Sequence, residues 1–574
     1  MSGFSSVNDW PSANGWGPQP LADGGTRFRL WAPDAGRVTL EIDGADGAAM
    51  APASHGWYQA DRPVGPGTRY RFRVGEQTLP DPASRMQAGG VHSWSVVPDA
   101  DFDWRHAEWR GRPWHETVLV ELHAGVMGGF TGIIDRLADI AAGGVTAIEL
   151  MPAGAFGGER GWGYDGVLPY AVHEAYGTPD DLRRLVDAAH GHGLGVFMDV
   201  VYNHFGPDGN YLGVYAASFF DADVHTPWGG AVAVEQEPVA RYFIDNALMW
   251  LRDYRLDGLR LDAVHAIRNP AFLDRLAAEV RAALPDRHVH LVLENEENDA
   301  ARLRDGAFDA QWNDDFHNVL HVLLTGETSA YYADFAERPA ERLARCLSEG
   351  FIYQGEGSPN HHGTPRGLPS AHLSPTRFVA FLQNHDQVGN RAMGERLLSL
   401  ADPAKLRAAT ALLLLCPQIP LLFMGESDGS ETPFLFFTDF HDELADAVRE
   451  GRRREFAKFA AFADAEARTH IPDPNARDTF EQSRPRPGTD AAEWRALHRD
   501  LLALRHAHIV PHLPGATAID AQATGAAAVT ARWRLGDGTA LTIAIDLSDA
   551  PAALPPTDAP LFTDDARFVA WIDR

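Results

Sequence analysis

The chain of 574 residues carries 50 lysines and arginines against 79 aspartates and glutamates, a formal charge of −29, and 45% of its residues are hydrophobic. A chain of this length and apolar content buries a large core and divides into about three or four units. The negative charge repels phosphate backbones and anionic lipid, so we expect neither nucleic acid nor a membrane surface as a partner. A neutral carbohydrate is compatible with the 10% aromatic content.

The cysteine content and the N-terminal segment bear on location. Cys346 and Cys416 are too few for a disulfide framework. The N-terminal segment has no basic start followed by an apolar stretch, and no apolar run approaches the ~20 residues of a membrane span. We therefore expect a cytoplasmic protein, and the sequence leaves its oligomeric state open.

Short alternating apolar runs open the chain, at residues 28–31, 38–42 and 70–74, separated by Gly, Asp and Pro clusters. This pattern predicts a small β-sandwich, and we assign residues 1–112 to an N-terminal domain.

From residue 113 onward, strand-like runs alternate with amphipathic helical stretches such as 180–192 and 239–254. The alternation predicts a (β/α)8 barrel of the TIM type over residues 113–509. The eight strand candidates are 118–122, 147–150, 196–201, 259–262, 291–294, 310–312, 378–382 and 420–424.

A doubly wound parallel sheet is the alternative for this region. Polar side chains stand repeatedly at the C-terminal ends of the candidate strands, namely at Asp199, Asp262, Glu294, His385 and Asp386. The catalytic face of a barrel lies at these ends, so the pattern favours the barrel.

The end of the chain returns to alternating runs, at 529–533 and 540–545, which predict a C-terminal β-domain over residues 510–574. We expect loops in the alanine-rich stretch 516–528 and the proline-rich stretch 551–560.

Three motifs bring carboxylates to strand ends: GLRLDAVH at 258–265, LVLENEEN at 291–298 and FLQNHDQVGN at 381–390. Cleavage of a glycosidic bond needs one acid to protonate the leaving oxygen and one carboxylate beside the anomeric carbon. Together with DVVYNHFG at 199–206, the motifs resemble, in order, the four signature regions of the α-amylase family.

The resemblance implies a role for each carboxylate. Asp262 would be the nucleophile, Glu294 the acid/base and Asp386 the residue that holds hydroxyl groups of the distorted sugar. Arg260, on the same strand as Asp262, would keep that nucleophile ionised. Further substrate contacts implied by the resemblance are Tyr164, Asp165, His204, His265, His385, Gln387 and Asn390.

Finer motifs resemble one subfamily, the malto-oligosyltrehalose trehalohydrolases. They are TPWG at 226–229, QWNDDFHN at 311–318, LLTGE at 323–327 and TPFLFFTDF at 432–440. Such enzymes cleave the α-1,4 bond next to a terminal α,α-trehalose unit of malto-oligosyltrehalose and related α-glucans, without an organic cofactor. The subfamily motifs add substrate contacts at Trp228, Asn313, Asp314, Asp315, His317 and Tyr331. Loop packing for Trp228 and helix capping for the 313–317 run remain alternatives.

Three segments depart from the family pattern. The stretch 124–130 replaces a longer loop, 355–363 lacks an aromatic-Arg pair after Ser-Pro, and 427–429 lacks the acidic-aromatic continuation. All three lie outside the carboxylate motifs, so they concern recognition of the trehalose end.

Two other functions remain to be weighed. A branching or debranching enzyme shares the N-terminal sandwich and the four regions, but NHDQVGN and TPFLFFTDF argue against it. A non-catalytic amylase-like scaffold would have lost a catalytic carboxylate, and this chain has all three. Asn203 ligates calcium in the wider family, yet no second oxygen cluster accompanies it, so we predict no metal site.

Overall fold

A closed barrel of eight parallel strands forms the centre of the protein in a computed structural model, which describes residues 15–226, 229–457, 462 and 464–573. Strands β1 and β8 pair with each other, Leu119 opposite Leu421, and close the barrel. The predicted TIM-type barrel is thereby confirmed, and a doubly wound sheet, which would have two open edges, is excluded. The strands are β1 Leu119–Leu122, β2 Ala147–Leu150, β3 Gly195–Val200, β4 Gly258–Leu261, β5 His290–Leu293, β6 Ala310–Trp312, β7 Phe378–Ala380 and β8 Ile419–Phe423.

The barrel strands read as nearly continuous apolar runs because helices cover one face and the barrel interior covers the other. Leu119, Phe197 and Val292 belong to the apolar cluster in the interior. Since side chains of a strand alternate between faces, residues two positions further on share the interior face. This alternation directs Glu121 and Asp199 into the barrel near its C-terminal end.

Helices surround the barrel and link its strands. Thr178 caps one of them through a reciprocal capping box with Asp181, and a proline occupies its first turn. None of the helices in the described residues is long and apolar enough to cross a membrane. The α-helices are Gly129–Ile134, Leu137–Ala142, Pro179–Gly191, Leu212–Tyr215, Glu237–Leu248, Pro270–Ala283, Asp314–Thr325, Pro339–Glu349, His385–Gly389, Leu397–Leu400, Pro403–Leu415, Asp442–Phe456, Ala465–Thr469, Arg477–Gln482 and Ala491–Leu504.

Two antiparallel sheets precede the barrel, as the sequence predicts. Their facing side chains, among them Phe28, Leu40 and Phe72, form a separate core. One sheet contains Gln19–Pro20, Thr26–Trp31, Trp57–Arg62 and Ala51–Pro52. The other contains Ala48–Ala49, Val38–Ile42, Arg69–Val74, Trp94–Val96, Gln87–Ala88 and Gln77–Leu79.

An antiparallel five-stranded sheet follows the barrel. The prediction of a loop over 516–528 is wrong, because Thr517–Ala523 is an edge strand paired with the next strand. Its side chains are mostly exposed, so it lacks the apolar alternation that marks a buried strand. The stretch 551–560 is loop, as expected. The sheet contains Thr517–Ala523, Ala528–Arg534, Ala540–Asp546, Phe568–Asp573 and Phe562–Asp564.

Three short hairpins complete the strands. They lie in the connections between barrel strands, where functional loops of this architecture are found. Their strands are Gly154–Phe156 with Gly166–Val172, Phe220–Thr226 with Gly229–Val232, and Glu356–Gly357 with Pro365–Arg366.

Candidate active site

Arg260 lies in the barrel interior on β4 with no exposed surface, and carboxyl groups surround it. Its Nη1 donates to Asp199 Oδ2 at 2.5 Å and to Asp262 Oδ1 at 2.7 Å, while Nη2 lies 3.8 Å from Glu294 Oε2. The guanidinium also stacks 4.1 Å from the ring centroid of Trp312. One fixed positive charge therefore contacts the two carboxylates that the sequence assigns to nucleophile and acid.

Glu294 follows β5 directly and reaches towards the end of β4. The backbone N–H of Ala263 donates to Glu294 Oε2 at 2.5 Å, and Ala263 adopts a left-handed conformation with φ of 40°. Burial raises the pKa of Glu294 well above its ordinary value, with Arg260 opposing the rise and Asp262 adding to it. The site thus favours the protonated form of this carboxyl, as an acid catalyst requires.

Asp386 lies in the first turn of the short helix after β7 and is 43% exposed. Asn390 Nδ2 donates to its Oδ1 at 3.2 Å, and His385 Nε2 lies 3.4 Å from the same atom. His385 is buried, and its Nδ1 lies 2.6 Å from Glu121 Oε1 on β1. Burial lowers the pKa of His385, but Asp386 and Glu121 outweigh it and raise that pKa to about 9.

Tyr164 contacts both a carboxylate beside Arg260 and the His385 ring beside Asp386. Its hydroxyl donates to Asp199 Oδ2 at 2.5 Å, and its ring stacks on His385 with centroids 5.0 Å apart. His204 Nε2 lies 3.0 Å from the Tyr164 carbonyl oxygen, and burial lowers the pKa of His204. The structure therefore brings Tyr164, His204 and His385 together with the carboxylates at the C-terminal end of the barrel.

A cleft of about 620 Å³ opens beside Glu294 and Asp386; Asp262 is not among its described lining residues. Other sequence-predicted residues that line it are Asp314, Tyr331, Gln387 and Asn390. Burial, together with Asp386, raises the pKa of Asp314 to about 7.

Three residues of the 313–317 run do not reach the cleft. Asn313 is fully buried and donates to Gln418 and to the Gly350 carbonyl. Asp315 is also fully buried and accepts backbone N–H groups of Ile352 and Tyr353. His317 is buried as well, and its Nδ1 lies 2.5 Å from the carbonyl oxygen of Leu382. Asn313, Asp315 and His317 thus bond to neighbouring segments of the protein, and none of the three is among the described residues that line the cleft.

The structure places the remaining candidates as follows. Burial raises the pKa of Asp165 to about 6, and Asp165 does not belong to the lining of the 620 Å³ cleft. His265 lies 3.8 Å from Glu296, which does line it. Trp228 lies outside the described residues. No group of three or more His, Cys, Asp or Glu side chains in the described part of the chain is arranged to hold a metal ion.

A sequence model for the alpha amylase catalytic domain matches residues 96–218, and a model for a domain of unknown function matches residues 516–567. A malto-oligosyltrehalose trehalohydrolase from Deinococcus radiodurans is 42% identical over 512 residues, which cover 86% of this chain and 84% of that protein. This chain belongs to the malto-oligosyltrehalose trehalohydrolase family.

A crystal structure also resembles this chain over nearly its whole length. A Salmonella typhimurium protein described as an alpha amylase superposes with a TM-score of 0.92 and 43% identity, covering 97% of this chain and 99% of the other. A 1,4-alpha-glucan branching enzyme from Cutibacterium acnes is 31% identical, but over only 42% of this chain. The partial match favours the trehalohydrolase family over the branching alternative.

Several residues in or near this site were not among the substrate contacts expected from the sequence. Glu121 lies on β1 in no carboxylate motif, although its place two residues after an interior apolar residue predicts an interior position. Glu327 binds Arg391 through both carboxylate oxygens, at 2.8 and 3.0 Å, and also contacts His321. His361 belongs to the loop that departs from the family pattern, where no motif was available to identify it.

Proposed function

We propose that this chain is a retaining glycoside hydrolase that cleaves the α-1,4 bond next to the terminal α,α-trehalose unit of malto-oligosyltrehalose. The products are trehalose and a shortened malto-oligosaccharide. The observation that carries the proposal is the placement of Asp262 and Glu294 around the single guanidinium of Arg260. Retaining enzymes hold such a carboxyl pair about 5–5.5 Å apart, and contact with one guanidinium is compatible with that separation.

Glu294 acts as the acid in the first step. Its proton passes to the glycosidic oxygen while Asp262 attacks the anomeric carbon, so the C–O bond breaks and a β-glucosyl ester forms. Trehalose leaves with that proton. The contact between Arg260 Nη1 and Asp262 Oδ1 stabilises the charged form of the nucleophile.

Glu294 then acts as the base in the second step. It removes a proton from water, which attacks the anomeric carbon and releases Asp262. Two inversions at the same carbon return the α anomer. In this proposal Asp386, His204 and His385 bind hydroxyl groups of the glucose unit being cleaved, and Tyr164 forms the platform beneath its ring.

The leaving trehalose unit would occupy the cleft beside Glu294. The acid that protonates the leaving oxygen faces the leaving group, and Glu294 lines this cleft together with Tyr331, Gln387 and Asn390. Asp314 lies at the same wall. The cleft has the size of a small-ligand site, which is about 300–1,000 Å³.

The decisive experiment compares maltotriosyl trehalose with maltopentaose, which contain equal numbers of glucose units. Binding energy from the remote trehalose unit is realised in the transition state, so its loss lowers turnover as well as affinity. We expect kcat/KM at least ~10-fold higher for maltotriosyl trehalose, a difference of about 1.4 kcal/mol, with trehalose as the only disaccharide released. Equal rates with release of maltose would indicate a general amylase, and new α-1,6 linkages would indicate a branching enzyme.

We also propose a cytoplasmic location and the three-domain division at residues 112 and 509. Both cysteines are buried with free thiols, which suits a reducing compartment. The division is supported by the change from antiparallel sheets to the parallel barrel and back along the chain.

A further inference from the structure

Glu296 lies two residues after Glu294, on the loop that follows β5, and its side chain lines the cleft. Its carboxyl group is 52% exposed, yet histidines from two different loops contact it. His361 Nε2 lies 3.2 Å from Oε1, and His265 Nε2 lies 3.8 Å from Oε2. Two imidazole rings therefore lie beside a carboxylate that solvent also reaches.

His361 takes its own orientation from buried groups. Its Nδ1 lies 2.9 Å from Ser358 Oγ, and the Ser358 hydroxyl donates to Asp334 Oδ2. Ser358 and Asp334 are both buried. Because the Ser358 hydroxyl gives its hydrogen to Asp334, His361 Nδ1 is the donor to Ser358 Oγ. Nε2 of the same ring faces Glu296, and it donates to that carboxylate when the ring is an imidazolium with a hydrogen on both nitrogens.

The loop that carries His361 also contacts other parts of the cleft wall. Asn360 Nδ2 donates to the carbonyl oxygen of Tyr331 at 3.1 Å, and Tyr331 is 70% exposed in the cleft. Arg366 Nε donates to the backbone oxygen of Glu296 at 2.7 Å. The segment 358–366 therefore contacts both Glu296, at its backbone and its side chain, and Tyr331.

We propose that His361 is a specificity-determining positioning residue that holds the Glu296 carboxylate at the wall of the leaving-group cleft. There Glu296 accepts hydrogen bonds from hydroxyl groups of the leaving disaccharide. An ionised carboxylate can only accept hydrogen bonds, and sugar hydroxyl groups supply the donors. This inference rests on the function proposed above, because it assigns the cleft to the trehalose unit.

The test measures kcat and KM on maltotriosyl trehalose and maltopentaose for the full chain and its variants. His361→Ala should lower kcat/KM about tenfold on maltotriosyl trehalose and less than about twofold on maltopentaose. His361→Gln, whose amide can donate to Glu296, should recover most of the loss. The matched control is His372→Ala, which removes an exposed histidine outside the cleft lining and should behave as the wild type.

A double-mutant cycle with Glu296→Gln separates positioning from a general structural effect. If His361 acts through Glu296, adding His361→Ala to Glu296→Gln should lower kcat/KM by less than about twofold more. Losses that multiply, or equal losses on the two substrates, would overturn the inference. Thermal unfolding checks the fold, and if His361→Ala does not fold, His361→Asn, which is too short to reach Glu296, replaces it.

The two proposals fail in different ways. A wild-type enzyme without preference for maltotriosyl trehalose would overturn the proposed function itself. A wild-type enzyme that has the preference, with a His361→Ala variant that keeps it, would overturn only the role of His361.

Discussion

Arg260 carries a positive charge into the barrel without exposed surface, and three carboxyl groups contact it. Burial alone would lower the pKa of Arg260, but Asp199 and the other nearby acids hold it well above its ordinary value. Glu294 is farther from the guanidinium than Asp262 is, so the same charge stabilises the two carboxylates unequally. Unequal stabilisation of neighbouring carboxyls is how one fold supplies both an acid and a nucleophile.

The first prediction distinguishes the catalytic role of Glu294 from that of Asp262. Glu294 acts while protonated and its pKa is raised, so activity should fall as pH rises through that raised pKa. Glu294→Gln should lower turnover of natural glucan by at least about 100-fold, yet spare much of the first step on maltosyl fluoride, whose leaving group needs no proton. Asp262→Asn should abolish cleavage of both substrates.

Steady-state rates between pH 4 and pH 10, about the span over which these groups titrate, provide the measurement. The alkaline limb should disappear from the first step of Glu294→Gln on the fluoride. Identical losses of the two variants on both substrates would contradict the assignment. NMR of the freshly released reducing end should show the α anomer first.

For some single residues the sequence does not predict whether the side chain faces the cleft. Asp314 lines the cleft while its neighbour Asp315 is fully buried, although both belong to one polar run. Successive residues of a helix point about 100° apart, so the orientation of each depends on how the helix packs. The motifs located the three carboxylates because strand ends converge in a barrel, but no local pattern distinguishes Asp314 from Asp315.

At the scale of elements, Glu121 ties β1 to the helix that follows β7. Its two carboxylate oxygens accept from the backbone N–H of His385, at 2.9 Å, and contact the imidazole Nδ1 at 2.6 Å. Both side chains are 2% exposed. In the barrel β8 lies between β1 and β7, so this pair links two elements that are not neighbours.

The second prediction concerns Glu121→Ala. Removing one partner of a buried ion pair leaves the other charge uncompensated, which costs about 3–5 kcal/mol of the free energy of unfolding. The matched control is Asp61→Ala, which breaks an exposed pair with Arg27 and should cost less than about 1 kcal/mol. Denaturant unfolding of the two variants gives the comparison, and similar small losses for both would contradict a structural role for the buried pair.

The elements themselves were mostly predictable. The strands Ala147–Leu150 and Ala310–Trp312 have the predicted bounds. Each of the other barrel strands begins and ends within two residues of its own predicted bounds, because buried parallel strands leave continuous apolar runs. The edge strand Thr517–Ala523 was missed, since its backbone pairing stabilises it without burying its side chains. The sequence pattern of an exposed edge strand does not show which strand pairs with it.

At the scale of the whole molecule, one apolar core extends from the barrel helices into the C-terminal sheet. Trp533, Ile543 and Phe568 of that sheet belong to the same cluster as Leu412 and Trp250 around the barrel. Trp533 is 1% exposed, and its Nε1 donates to the carbonyl oxygen of Leu347 at 3.0 Å. The sheet and the barrel should therefore unfold together.

The third prediction follows from that shared core. Trp533→Ala should lower the free energy of unfolding by about 3–5 kcal/mol, since it removes a fully buried aromatic side chain. Trp571→Ala, in the same sheet but partly exposed, is the matched control and should cost much less. Calorimetry should show one transition for the barrel and the C-terminal sheet, and separate melting of the sheet in the wild type would contradict the shared core.

The charge of the cleft beside Glu294 should also determine which ligands enter it. Among the described residues that line it, eight are Asp or Glu and two are Arg, so acidic groups outnumber basic ones even with Glu294 protonated. Neutral glucans enter without electrostatic cost, whereas sugar phosphates and uronic acids meet a like-charged wall. Protonated amino sugars should accordingly inhibit more strongly than their neutral counterparts, and added salt should reduce that advantage because it screens charges in a solvent-filled groove.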